Sequence, residues 1–519
     1  MKQLFYNGKI HPMTMPEAYY DYMIVDGPYI AELGHGMPKL KMPSFDLKGR
    51  FVCPGFIDTH MHLLSYGASL TQCQLDDCTS IESLQNKLKQ FTDTHAEKWI
   101  IGRGWNHDFF KEQRLPTKQD LDSICPDRPV LLRRACEHIA VANSKALEIC
   151  NIDCNSFVEG GAIDIQNSSP TGILRENALS LITDHMPTPD QDTLVQYLKE
   201  AQSKLLSMGI TTVHTDDLLF VSISEHLKLI DLMKSISDYP LRIYEQVQLL
   251  TPENINLFSN LGLCTGTGNS HFKIGPLKIL ADGSLGSRTA RLSVPYQDDP
   301  KTQGISTYTK SELDTLIKSG LDHGFDLAIH AIGDYTNAIA LETIEKYSEP
   351  NRHRHSIIHS QIMTLPLIQK MASLCVNALV QPVFLEYDML IVKNRVGESL
   401  SQYSYAYKSM KDAGIKLGFG SDCPVESPNP LRSLHYAVTR TRPDGISFNT
   451  SEALTLYDAL SAFTRDAAYF SHEEHLKGQL KKGYLADFVI LSEDPYKTQL
   501  RDIKVDQTYI DGTCVYSRF

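Results

Sequence analysis

The chain has 519 residues, of which 42% are hydrophobic and 22% charged, enough for one large domain with attachments or for three ordinary ones. Its formal charge of -12, with Lys and Arg dispersed along the chain, argues against a nucleic-acid surface, and no apolar run approaches the roughly 20 residues of a membrane span. The partner these features leave is a small-molecule substrate, with no nucleic acid and no membrane.

The first 50 residues read as short strands and turns, and MKQLFYNGKIHPM lacks the basic stretch followed by an apolar one that marks an export signal. The eleven cysteines are an odd number without paired spacing, and are read as reduced thiols in a cytoplasmic protein. FVCPGFIDTHMH (51–62) is the first buried strand. Residues 63 to 208 are far too many for one strand-to-helix connection, so an inserted α+β subdomain is expected over 75–204. Within it, IESLQNKLKQF and NALSLITDHM look helical, while KWIIGRGW, PVLLRRACEHIAVA and TGILR look extended.

From about residue 205, apolar runs alternate with amphipathic stretches. The strand candidates are 209–217, 241–250, 271–283, 325–334, 355–361, 375–384 and 415–424; with 51–62 they make eight, the number that closes a (β/α)8 barrel. EHLKLIDLMKSI, SELDTLIKSGLDH, TNAIALETIEKY, LPLIQKMASL and NPLRSLHYAVTR carry apolar residues at helical spacing between them. The alternating tail GYLADFVILSEDP with VDQTYIDGTCVY belongs with the N-terminus. The expected fold is thus α/β: a distorted (β/α)8 barrel over 51–74 and 205–471, with a composite β-sandwich from 1–50 and 472–519.

In such a barrel the active site lies at the C-terminal ends of the strands. There the sequence places His60 and His62, which alternate onto one face of the first strand, then Lys278, His330, His359 and Asp422. Taken singly, His330 or His359 reads as a core histidine, Asp422 as a helix cap and Lys278 as a partner of Asp282. Together they read as a cation site, because buried His, Lys and Asp need partners that one shared metal supplies. An ammonium repels a cation, so Lys278 fits only if its neutral amine reacts with carbon dioxide to give a carbamate. His60, His62, the carbamate and Asp422 then hold one metal, and the carbamate with His330 and His359 the other. A metal-activated hydroxide, with Asp422 as general base and then acid, hydrolyses an amide-like bond.

PGFIDTHMHLLSYG, KILADGSLGSRTA, AIHAIGD, HSQ, GSDCPVESPNPL and GQLKKGYLADFVIL, in this order, resemble the motifs of the amidohydrolase superfamily, in its branch of YtcJ-like and N-substituted formamide deformylase-like enzymes. The resemblance spans nearly the whole chain. It implies the barrel, the composite sandwich, one or two divalent ions per chain, zinc as a rule, and a homodimer. Where the branch commonly has Glu before the sixth-strand histidine, this chain has Ile358. His214, at the end of the second strand, reads either as a substrate-orienting group or as a solvent-facing histidine. Trp105 with Asn106, His138 and Arg288 match weaker features of the branch and are candidates to bind substrate over the barrel mouth. Each has a plainer reading, packing for Trp105 and a surface ion pair for Arg288.

The function expected is metal-dependent hydrolysis of a non-peptide C–N bond in an amide, formamide or cyclic imide. A dipeptidase, an ester or lactone hydrolase and a small-molecule deaminase use the same activated water, and a metal-binding scaffold without turnover is the non-enzyme alternative.

Overall fold

The computed structural model describes residues 2–38, 41–96, 98–134, 139–158, 161–217, 222–350 and 353–519. Eight parallel strands follow one another around a sheet: β1 (Phe56–Met61), β2 (Ile210–Thr215), β3 (Arg242–Val247), β4 (Phe272–Leu280), β5 (Leu327–Ala331), β6 (Ser356–His359), β7 (Asn377–Val380) and β8 (Leu417–Phe419). All eight match the expected runs. Their near-continuous burial is what a parallel sheet covered on both faces requires. The barrel closes just past the strand ends, where Asp422 N–H donates to the His60 carbonyl and His62 N–H to the Cys423 carbonyl, both at 2.8 Å.

The expected first strand, 51–62, is in fact two. Phe51–Pro54 pairs with Phe488–Leu491 and with Ile10 in the terminal sheet, whereas β1 pairs with β2. Gly55 is the switch point: its N–H reaches the Asp487 carbonyl at 3.0 Å, and a Cβ there would lie 2.3 Å from Thr211 Cγ2. Periodicity alone cannot show such a change of sheet, because both halves are apolar and extended. The terminal sheet has eight strands drawn from both ends of the chain. It curls on itself: Phe5 and Tyr509 stand on strands three places apart, roughly 14 Å in a flat sheet, yet their rings are centred 5.3 Å apart.

Gly67–Glu200 forms one compact unit, and Met1–Tyr66 with Ala201–Phe519 forms another. The inserted unit has its own six-stranded sheet, from Cys73–Gln74 to Gly161–Gln166, and its own apolar core around Leu84, Leu88, Ile100 and Leu132. NALSLITDHM forms a 3-10 turn, Asn177–Leu179, followed by one helical turn, Ser180–Thr183. Among the described residues no helix is long and apolar enough to cross a membrane.

Candidate metal centre

The alternation of β1 turns Asp58 and His60 to the same face, and Asp58 locks the barrel seam by accepting the N–H of His60 at 3.2 Å and of Ser421 at 3.1 Å. Burial raises the Asp58 carboxyl to about 7, against the pull of these hydrogen bonds. His60 and His62 then meet Asp422: its Oδ1 lies 3.3 Å from His60 Nε2 and 3.2 Å from His62 Nε2. One ligand atom from each of the three lies within 4.8 Å of the others.

The other ring nitrogens fix the tautomers. His62 Nδ1 faces the Asp216 carbonyl at 3.0 Å and must donate to it. His60 Nδ1 faces Gln246 Oε1 at 3.0 Å, and Gln246 Nε2 is committed to the Thr59 carbonyl at 3.2 Å, so the oxygen is the acceptor. His359 repeats the device with Gln381, at 2.7 Å, whose Nε2 donates to the Leu379 carbonyl at 3.1 Å. Each Nε2 therefore carries a lone pair, the tautomer a metal needs. At His60, His62 and Asp422 three acceptors converge with no donor among them, which a shared cation reconciles.

Burial opposes charge on His62, but the hydrogen bond and charge of Asp422 raise it to about 9. Burial and the Lys278 cation lower His60 to about 4. Burial would raise Asp422, yet the two histidines hold it well below the usual carboxylate range. His359 and Asp422 also adopt positive φ, 76° and 58°, an uncommon conformation for these residues and a cost that is retained where a side chain must be aimed.

The remaining candidates adjoin this cluster. The His359 ring is centred 5.8 Å from that of His60 and 4.5 Å from that of His330. His330 turns Nε2 to the Gly283 carbonyl at 3.2 Å and lies 3.3 Å from Asp282 Oδ1, which leaves Nδ1 as its lone-pair nitrogen. Lys278 Nζ is 3.4 Å from His60 Nε2 and pairs with Asp216 Oδ2 at 3.0 Å, not with Asp282. Asp282 instead accepts backbone N–H groups of Arg291, Ile332 and Gly333.

Other expectations change. His214 is neither solvent-facing nor at the site: it is buried against Tyr244, ring centroids 4.8 Å apart, and burial, then the Lys477 cation, lower it to about 3. Trp105 takes the packing role, fully buried in the core of the inserted unit with its indole N–H donating to the Leu132 carbonyl at 2.9 Å. Asn106 Oδ1 accepts from Arg134 at 2.7 Å and caps the turn that follows. Arg288 is bound through Nε and Nη2 to both oxygens of Asp298, at 3.1 Å each. His138 lies outside the described residues. Ile358 leaves no gap: it packs with Ala328, Leu379 and Phe470, and Gln381 serves His359. Gln246, Gln381 and Asp216 were not singled out from sequence, although each sits at a strand's C-terminal end.

The barrel and its convergent histidines define a metal-dependent hydrolase. A profile described as "Amidohydrolase family" matches residues 44–516. The putative amidohydrolase YtcJ of Bacillus subtilis strain 168 is 32% identical over 536 aligned residues that cover 100% of both chains. N-substituted formamide deformylase of Arthrobacter pascens is 25% identical, over 91% of this chain and 90% of that protein. The crystal structure of an uncharacterized metal-dependent hydrolase from Pyrococcus furiosus superposes with a TM-score of 0.79 at 29% identity, covering 95% of this chain and 100% of that one. The chain belongs to the amidohydrolase family.

Proposed function

We propose that this amidohydrolase opens a C–N bond other than a peptide bond, in an amide, formamide or cyclic imide of a small molecule, with Asp422 as the proton carrier. The observation that carries this reading is the meeting of His60 Nε2, His62 Nε2 and Asp422 Oδ1 within 4.8 Å of one another. The name of the Arthrobacter relative, N-substituted formamide deformylase, supports the bond class.

His60, His62 and Asp422 would hold one divalent ion, and His330 with His359 a second; the imidazole-rich donor set favours zinc. A divalent ion supplies Lewis acidity, lowering the pKa of water from about 15.7 towards 7 and polarising the carbonyl under attack. Asp422 takes the proton of the attacking water and passes it to the leaving nitrogen, so that a neutral amine departs. Gln246 and the Asp216 carbonyl keep His60 and His62 in one tautomer throughout. Lys278 would add a carbamate to the ligand set: its neutral amine would form an N–C bond to carbon dioxide and release a proton to solvent, and Asp216 would give up its 3.0 Å ion pair. The described cysteines are all free thiols, which supports a cytoplasmic setting.

The test is a turnover panel with zinc-reconstituted enzyme: N-formyl amines, N-acyl amines and cyclic imides, with dipeptides and esters alongside. The expected result is turnover of the first three, and loss of it in Asp422→Asn. Preference for dipeptides or esters would overturn the bond class.

A further inference from the structure

We infer that Arg291 is the specificity-determining anchor for a substrate carboxylate, so that the amide opened here belongs to an anionic molecule. The inference rests on the hydrolase reading above and names its substrate class.

Two arginines lie on the loop between β4 and the helix Lys310–Asp322. The first, Arg288, is already committed. Asp298 takes its guanidinium, and Arg395 binds the same carboxylate while also reaching the Gly286 carbonyl at 3.3 Å. Arg291 differs. It is half-buried, and among the described residues its side chain makes no hydrogen bond or ion pair; its guanidinium carbon stands 5.1 Å from the centre of the Tyr335 ring. Every other polar contact at this position is through the backbone.

The backbone contacts tie Arg291 to the site. Its N–H donates to Asp282 Oδ2 at 3.0 Å, and the other oxygen of the same carboxylate lies 3.3 Å from His330 Nε2. Asp282 also accepts the N–H groups of Ile332 at 3.0 Å and Gly333 at 2.9 Å, joining the loops after β4 and β5. They interlock so closely that a Cβ on Gly333 would lie 1.9 Å from the Arg291 carbonyl oxygen. The Arg291 backbone is therefore one carboxylate removed from a site histidine, on the barrel face where substrates bind.

Chemistry supplies the ligand. A partly desolvated guanidinium without an anion is costly, and an arriving carboxylate relieves the cost. The guanidinium lies near the Tyr335 ring, and its N–H groups, unpaired among the described residues, suit the bidentate pairing that carboxylates make.

The experiment uses full-length, zinc-loaded enzyme and matched pairs of substrates: N-formyl and N-acetyl derivatives of phenylalanine, each as the free acid and as the neutral carboxamide. The wild type is expected to prefer the acids. Arg291→Gln should lower kcat/KM on the acids about 10- to 100-fold, mainly through KM, and leave the carboxamides nearly unchanged. Arg291→Lys should recover part of the loss. An acid-to-carboxamide ratio that Arg291→Gln does not alter overturns the inference, even if its melting temperature falls, because that is a structural role only. Absence of turnover on every pair counts against the hydrolase reading alone. Calorimetric titration with N-acetylphenylalanine then decides for Arg291: binding that weakens at least about 10-fold in Arg291→Gln upholds it. Equal binding in both proteins, or none to the wild type, overturns it.

Discussion

The side-chain oxygen of Gln246, two strands round the barrel and 186 residues on in the chain, accepts the Nδ1 proton of His60 at 3.0 Å. That contact makes His60 Nε2 a lone-pair donor. Replacing Gln246 with Leu leaves the imidazole free to rotate and to change tautomer, so divalent-metal affinity should fall about 10- to 100-fold. Competition against a chelating dye measures this directly; an unchanged affinity means that the glutamine does not orient His60.

Asp422 is both a candidate ligand and the candidate proton carrier. Asp422→Asn keeps the shape and removes the basicity, so kcat should drop by about a hundred- to ten-thousandfold, counted per metal-loaded molecule. Metal content measured on the same sample separates loss of the ion from loss of the base. A fully loaded variant with undiminished kcat would remove Asp422 from the mechanism.

Gly420 lies at the barrel seam, where a Cβ would approach His60 N to 2.6 Å and its carbonyl oxygen to 2.9 Å. Neither neighbour can swing aside, since both are backbone. Gly420→Ala should therefore cost about 1 to 3 kcal/mol and weaken metal binding by displacing His60. Thermal melting and metal titration of the variant are expected to change together; a stable variant with normal affinity would show that the seam yields freely.

Away from the site, Glu473 pairs with Lys273 at 2.9 Å and with the buried Lys477 at 2.6 Å. Burial alone would raise its carboxyl, but the two cations hold it down at about 2, below its ordinary 4.5. The folded state thus binds fewer protons here than the unfolded one. Stability from this group is full above about pH 4.5 and drains as pH falls towards 2. In Glu473→Gln, the buried Lys477 loses its anion, so the variant should be less stable at neutral pH and should lose less on going to about pH 3. Urea unfolding midpoints of both proteins at the two pH values test the sign.

The barrel was legible because its strands are short apolar runs with polar residues at or just past their ends, and five of them bring the six His, Lys and Asp candidates. What the sequence hid are relations between segments. The change of sheet at Gly55 lies inside one continuous apolar run. Gln246 and Gln381 have no local pattern that names the histidine each will reach. His214 carries the same signal as His60, a histidine late in a barrel strand, yet its ring is buried against Tyr244. The motif marks Arg288 and not Arg291; only the fold shows that Asp298 takes the first and leaves the second.

The central claim is a metal centre built from His60, His62, Lys278, His330, His359 and Asp422. Metal content per chain, by plasma mass spectrometry on protein purified without chelator or metal-affinity resin, tests it most directly. The account predicts about two zinc or similar ions per chain, one for each half of the site. Protein that stays metal-free even after reconstitution would contradict it and return these histidines to the role of core residues.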